Sequence, residues 1–478
     1  MKIYLSNVIV IEKPTKQVLD YFTKKLTYDN PDYLKKKNMG FYAYGTPKTI
    51  KLFNYYENKL YIPMGCFEDL WSIHPISDDY TDYCIEKPVN IESNIVLRDY
   101  QKPCVNALKD YYNVVISMGC GMGKTLSLLA AVGEIKQRTL WLAGTIDLVR
   151  QAQDSCKKFM KCKTSLITEG KMSLEGDIVF ATIASVYKFI QNGELKPDEF
   201  GCIILDECHH LSANPNSLQM FRSVFEYFPA KYRAGMSATI WRTDGLEKCI
   251  IDIIGKVRYN IEQKGDHYSC MYNGECLMQF PITRFQVPCR VNVIETKYDV
   301  SNADVFSSNG GTIQFASLIS DIAMNKERNS QILSVLKSVK GSTIVLSDRV
   351  DQLEYLGKHL DNAIVITGST PKKIRKQGLD DVRSGKIKYL LSSYQLAKEG
   401  LDCVILENLI MATPIKAFSS VVQSIGRIQR PYEGKEIANI YDFCDSEVGM
   451  LLRFYSKRRS IYKKNNWKIE NTYLGGGK

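Results

Sequence analysis

The sequence predicts an α/β protein in which two tandem domains, each a parallel sheet flanked by helices, follow a small α+β domain. Three observations carry that prediction. From about Asn94 onward, short apolar runs alternate with stretches of helical periodicity, the pattern of βαβ units. The alternation occurs in two separate series, with an irregular stretch between them. The chain also has 478 residues, 45% of them hydrophobic and 24% charged, which is enough for two to four ordinary cores. Disordered and fibrous classes are excluded by the same figures.

Residues 1–92 form the leading domain, an accessory domain with a nucleic-acid-binding character. Aromatic and Lys residues interleave here, including Tyr33, Lys35, Tyr42, Lys48, Phe53, Tyr55 and Tyr56. A helix is expected over Thr15–Lys25 and strands over Thr49–Phe53 and Lys59–Ile62. Residues 93–260 carry the first series, with strands at Val114–Ser117, Thr139–Ala143, Ile178–Ala181 and Cys202–Leu205. Helices Thr125–Gln137 and Ile146–Met160 lie between them. Residues 256–300 read as a strand-rich linker or the edge of the second domain. The second domain, 261–455, has strands at Thr343–Leu346, Ala363–Ile366, Lys388–Leu391, Val404–Ile410 and Glu436–Tyr441. Residues 456–478 form a basic tail whose Gly-rich tip is expected to fray.

Sixty-three Lys and Arg against 52 Asp and Glu give a net charge of +11, which favours a polyanionic partner. Fourteen Cys without a C-x-x-C pair read as reduced thiols. His267, Cys270, Cys276 and Cys289 lack the paired knuckles of a zinc site, so a hairpin with core cysteines is the better reading. No apolar run reaches the roughly 18 residues of a membrane span, and the N-terminus lacks a cleavage site. A cytoplasmic protein is expected, in a bacterium or, for a phage-encoded chain, in its host.

The chemistry sits in a few segments. After the strand ending at Ser117 comes Gly119-Cys120-Gly121-Met122-Gly123-Lys124-Thr125 and then a helix. Glycines let backbone N–H groups converge on phosphates, Lys124 reaches the β/γ-phosphates and the Thr125 hydroxyl holds Mg²⁺. Downstream, the strand Cys202–Leu205 delivers Asp206 and Glu207 at its carboxyl end. Asp206 suits Mg²⁺, and Glu207 suits orienting or deprotonating a water.

Asp206-Glu207-Cys208-His209 resembles the DEAH-type box of superfamily 2 helicases, and other segments follow in that family's order. Leu97-Arg98-Asp99-Tyr100-Gln101 resembles the adenine-reading segment, with Gln101 as its reader. Met236-Ser237-Ala238-Thr239 resembles the Ser-Ala-Thr motif, which implies that Ser237 and Thr239 couple ATP to nucleic acid together with His209. Gln395–Asp402 resembles motif V, with Gly400 and Asp402 near the nucleotide. Gln423 to Arg430 matches Q-x-x-G-R-x-x-R, making Gln423, Arg427 and Arg430 the arginine-finger set. Met118 and the missing Pro after Thr239 depart from the family pattern without removing a reacting group. The leading domain is similar to those of phage-type and XPB-like DNA helicases.

The resemblance implies two RecA-like domains with ATP and Mg²⁺ between them. Strand contacts fall to Thr145, Thr182, Ser347, Thr367 and Ser392, each of which reads equally well as a structural cap. The expected function is an ATP-dependent DNA helicase or translocase, a monomer when free, acting on duplex, branched or single-stranded DNA. RNA is an alternative, because such motors grip sugar-phosphate. Two others are the motor of a restriction or defence system, for which no nuclease pattern is present, and a scaffold with an idle ATPase.

Overall fold

The computed structural model describes residues 1–40, 45–74, 80–119, 121–210, 215–238, 246–284, 286–300, 305, 313–399, 403–415, 425–426 and 428–471. The chain divides into two compact units. One holds Met1–Glu262 with Ser269–Gln279, and the other holds Gln263–Tyr268 with Phe280–Lys478.

The first unit opens with a five-stranded sheet. Its strand order is Asn54–Tyr56, Lys59–Ile62, Ile9–Glu12, Lys2–Leu5, Tyr80–Asp82. Strict alternation along these strands sends Ile3, Leu5, Ile9, Ile11, Leu60 and Ile62 inward. A helix at Lys16–Lys25 starts where Thr15 caps it, the Thr15 hydroxyl accepting from the Val18 amide at 3.3 Å, and its buried face is Val18 and Phe22.

The leading residues share one continuous apolar core with the helix Glu247–Ile254 and the sheet behind it. Polar ties reinforce this join. The buried carboxylate of Asp252 takes the Lys25 ammonium at 2.9 Å and the Tyr28 hydroxyl. The Arg233 guanidinium, fully buried, donates to the carbonyls of Ser6, Asn7, Phe225, Phe228 and Ala230. Burial pulls its pKa down to about 10, and five carbonyls compensate the guanidinium that burial desolvates.

The larger sheet of this unit has ten strands. Its order is Lys171–Met172, Thr164–Thr168, Ile178–Thr182, Thr139–Ala143, Cys202–Leu205, Tyr232–Ser237, Asn113–Ser117, Val257–Lys264, His267–Tyr272, Glu275–Pro281. The strands from Thr164–Thr168 through Val257–Lys264 run parallel. Thr139–Ala143 and Cys202–Leu205 fall at their expected bounds, because a strand covered on both faces reads as a continuous apolar run. Residues 257–281 correct the expectation of a linker or second-domain edge: they extend the first sheet, starting where Val257 pairs with Val115. Cys270 lies inside this extension against the Tyr259 hydroxyl at 3.2 Å, while Cys289 starts a strand of the other unit.

The second unit is built on a seven-stranded, wholly parallel sheet. The order is Ala363–Ile366, Tyr389–Ser393, Thr343–Ser347, Asn408–Met411, Ala438–Asp445, Cys289–Thr296, Lys468–Asn471. The stretch expected to be a strand from Val404 begins only at Asn408, because Val404 and Ile405 lie in a turn. Residues expected as a basic tail are integral. The helix Gly449–Lys464 packs on the sheet, and Lys468–Asn471 pairs with Arg290–Val293. Arg458 is buried and clamps Asp442 at 2.8 Å, with the Tyr462 hydroxyl on the same carboxylate at 2.7 Å. The Gly-rich tip lies outside the described residues. Among the described residues no helix is long and apolar enough to cross a membrane.

Candidate nucleotide-binding site

The strand Asn113–Ser117 ends in the glycine loop, and the helix Lys124–Ile135 begins directly after it. Gly121 and Gly123 take positive φ of 79° and 82°. The positive φ favours glycine at Gly123, and a Cβ there would also come within 2.3 Å of the Gln101 side-chain nitrogen and displace it from the loop. The loop is held from outside by the adenine-segment residues. Gln101 Nε2 donates to the Met122 carbonyl at 2.9 Å, and the Tyr100 hydroxyl donates to the same oxygen at 3.1 Å. Gln101 Oε1 accepts from the Arg98 amide at 2.9 Å. Tyr100 thereby joins the site residues, and its place beside Gln101 is the one sign of this in the sequence. Met118, the departure from the family pattern, sends its side chain fully into the core and donates its amide to the Ser237 carbonyl at 3.0 Å. Gly119 adjoins the Met122 thioether, and Thr125 is the second residue of the helix.

The parallel register places the acids beside this loop. Asp206 follows the strand Cys202–Leu205, is buried, and donates its amide to the Leu142 carbonyl at 2.8 Å. Burial, aided by the neighbouring Glu207 charge and opposed by Lys124, pushes its carboxyl up to about 7. Glu207 adopts a positive φ of 50°, which turns its side chain toward the loop. Lys124 Nζ lies 3.8 Å from Glu207 Oε1. His209 Nδ1 sits 3.2 Å from Glu207 Oε2 and 2.8 Å from the Ser237 hydroxyl. A chain of polar groups therefore runs Lys124, Glu207, His209, Ser237, from the glycine loop to the Ser-Ala-Thr strand end. Thr239 lies outside the described residues.

The hydroxyls considered for strand contacts divide into two kinds. Thr145 and Thr182 cap the helices Ile146–Phe159 and Ile183–Gln191, accepting from the Leu148 and Ser185 amides at 3.4 Å each. Thr367 bonds Ser369 at 2.9 Å beside the turn that precedes the helix Lys372–Arg383. Ser347 and Ser392 are fully buried. The Ser347 hydroxyl donates to Gln352 at 2.7 Å and the Ser392 hydroxyl to the Ile366 carbonyl at 2.7 Å, which leaves neither a face toward solvent. Arg430, in the second unit, is half-buried, and the preceding Gln429 is fixed by its carbonyl accepting from the Val287 amide at 2.8 Å. Gly400, Asp402, Gln423 and Arg427 lie outside the described residues.

Residues 94–242 match the family model "Type III restriction enzyme, res subunit", and residues 321–431 match "Helicase conserved C-terminal domain". The chain carries the two motor domains of a superfamily 2 helicase. It is 28% identical over 365 residues to a protein of Acanthamoeba polyphaga mimivirus named as an ATP-dependent RNA helicase, covering 75% of this chain and 65% of that one. A protein of Escherichia phage T5, named as a helicase, is 26% identical over 98% of this chain and 95% of its own length. The DNA 3'-5' translocase XPB2 of Sulfurisphaera tokodaii is 26% identical, over 74% of this chain and 85% of that one. In solved structures, the fold is that of Saccharomyces cerevisiae Dbp5 bound to RNA and ADP BeF3, with a TM-score of 0.54 at 15% identity over 80% of this chain and 90% of that one. The two sheets are the tandem RecA-like domains of an ATP-hydrolysing helicase that resembles phage and XPB helicases.

Proposed function

We propose that this helicase is an ATP-dependent DNA translocase that remodels duplex or branched DNA. The observation that carries the motor reading is the polar chain from Lys124 through Glu207 and His209 to Ser237. It links the phosphate loop to the strand end that the family uses for coupling. The glycine loop cradles the phosphates, with Gly119, Gly121, Gly123 and the amides of the Lys124 helix supplying N–H groups. Lys124 neutralises the β/γ-phosphates. Glu207 orients and deprotonates the attacking water. Gln101 reads the base edge while its amide steadies the loop.

Asp206 and the Thr125 hydroxyl would hold Mg²⁺. The fit is supported by the donor set: a buried carboxylate beside a second acid, lifted to about 7, gains most from a divalent cation. Magnesium would neutralise the charge developing on the transferred phosphoryl group. The family resemblance gives Gln423, Arg427 and Arg430, with Gly400 and Asp402, further roles toward the nucleotide. Arginine fingers of this kind contribute about 10³–10⁵ in rate and act only on closure. His209 and Ser237, with Thr239, transmit occupancy to the strand-binding face, where Thr145, Thr182 and Thr367 are the remaining candidates.

The choice of DNA is supported by the translocase relative, whose length this chain largely spans. The mimivirus relative favours a second reading, an RNA helicase. Steady-state ATPase separates them. Measured at one fixed salt concentration with single-stranded DNA, duplex DNA, a four-way junction and RNA, turnover is expected to rise most with duplex or junction. Stimulation by RNA alone would replace the DNA reading with the second one.

A further inference from the structure

The outward face of the leading five-stranded sheet is unlike its inward face. Alternation places Asn54 and Tyr56, Lys59 and Tyr61, Val10 and Glu12, Lys2 and Tyr4, and Thr81 and Tyr83 on the side away from the core. Four tyrosines thus share one face, in two stacked pairs. Tyr56 and Tyr61 lie 4.6 Å apart at 6°, and Tyr4 and Tyr83 lie 6.3 Å apart at 19°. The registers Tyr61 with Val10 and Tyr4 with Val10 put the pairs on either side of one small side chain. Two strand spacings, about 10 Å, therefore separate them. Tyr56 is 53% exposed and Tyr83 57% exposed, so each pair keeps an open ring surface.

Each ring pair stabilises the sheet by covering one ring face, and that accounts for the pairing. It does not account for the open ring faces, which stand in water at both ends of this face. Among the described residues, Val10 is the aliphatic side chain on this face. The charged groups at its rim are Lys2, Lys13 and Lys59 against Glu12 and Glu57. Lys59 and Glu12 pair at 2.7 Å, with Lys2 opposite Glu12 on the Tyr4 strand and Lys13 beside Asn58 at the Tyr56 end. Flat, spaced aromatic surfaces with a small excess of ammonium groups suit unpaired nucleobases, whose π-faces stack without regard to sequence. An apolar protein partner would find too little aliphatic surface here.

We propose that this sheet face is a stacking platform for unpaired bases, with Tyr4/Tyr83 and Tyr56/Tyr61 as its two seats and a single-stranded segment as its occupant. The inference rests on the reading that the chain acts on nucleic acid. It adds to the motor a single-strand site made of residues other than those assigned to the nucleotide.

The test is fluorescence anisotropy of the full-length chain at fixed salt with a labelled oligothymidine, a labelled duplex of the same length and a labelled single-stranded RNA. Tyr4→Thr/Tyr61→Thr keeps strand propensity while removing one ring from each seat. Its affinity for single strands is expected to fall at least tenfold, stacking being worth about tenfold per ring, with duplex affinity and DNA-free ATPase within twofold of wild type. Tyr4→Phe/Tyr61→Phe keeps the rings and is expected to bind like wild type. Val10→Glu, a surface change that sets a carboxylate between the seats, is expected to weaken single-strand binding and covers a Thr variant that folds poorly. Equal losses on the DNA and RNA single strands would assign the site to stacked bases of either sugar. Wild-type affinity in both the Thr and Glu variants would overturn the platform while leaving the motor reading intact. Failure of the wild-type chain to bind any nucleic acid would overturn the motor reading itself.

Discussion

Lys124 and Glu207 lie 3.8 Å apart beside the glycine loop, yet one carries a charge for phosphate and the other a carboxylate for water. Their loss should therefore have different consequences. Lys124→Ala removes the charge that meets the β/γ-phosphates, and both nucleotide affinity and turnover should fall by two orders of magnitude or more. Glu207→Gln keeps the shape and a hydrogen-bonding amide, so ATP should still bind while hydrolysis falls about 10²–10⁴-fold, the range of general-base loss. Equilibrium binding of a fluorescent nucleotide, measured beside single-turnover hydrolysis, separates the two effects. These residues were legible because chemistry fixes their spacing along the chain. Ser347 and Ser392 were not, because a hydroxyl at a strand end carries no sign of whether its neighbours will cover it. The structure gives Ser392 to the Ile366 carbonyl and Ser347 to Gln352.

At the scale of elements, strands covered on both faces were the easiest to read, as with Thr139–Ala143 and Cys202–Leu205. The strands at Val257–Lys264 and Lys468–Asn471 were harder. They sit at or near sheet edges with mixed polarity, and which sheet receives them is settled by long-range pairing. A boundary at residue 456 cuts through the helix Gly449–Lys464 for a related reason. Its run Lys457-Arg458-Arg459 looks like a solvated charge cluster, yet Arg458 turns inward to Asp442. Both partners are buried, so breaking the pair from one side leaves an uncompensated charge. Asp442→Asn should cost about 3–5 kcal/mol in chemical denaturation of the full chain. Asp442→Leu/Arg458→Met, which removes both charges, should recover most of that loss. Equal destabilisation by the single and double variants would show that packing rather than charge pairing holds this helix.

For the whole molecule, the order of functional segments along the sequence was enough to expect two motor domains behind an accessory one. The way the leading residues join the first motor domain was not legible. Their charges and aromatics suggested a separable module, whereas Asp252 meets Lys25 and Tyr28, and Arg233 meets the carbonyls of Ser6 and Asn7. Removing residues 1–92 would strip these partners and bare the helix Glu247–Ile254, so point variants probe the leading domain more cleanly than truncation. The central claim, that ATP turnover drives the chain along DNA, is tested most directly by displacement of a third strand from a triplex on duplex DNA. The account predicts displacement that requires ATP and magnesium and is lost in Glu207→Gln. Robust DNA-stimulated ATP hydrolysis with the third strand left in place would contradict it.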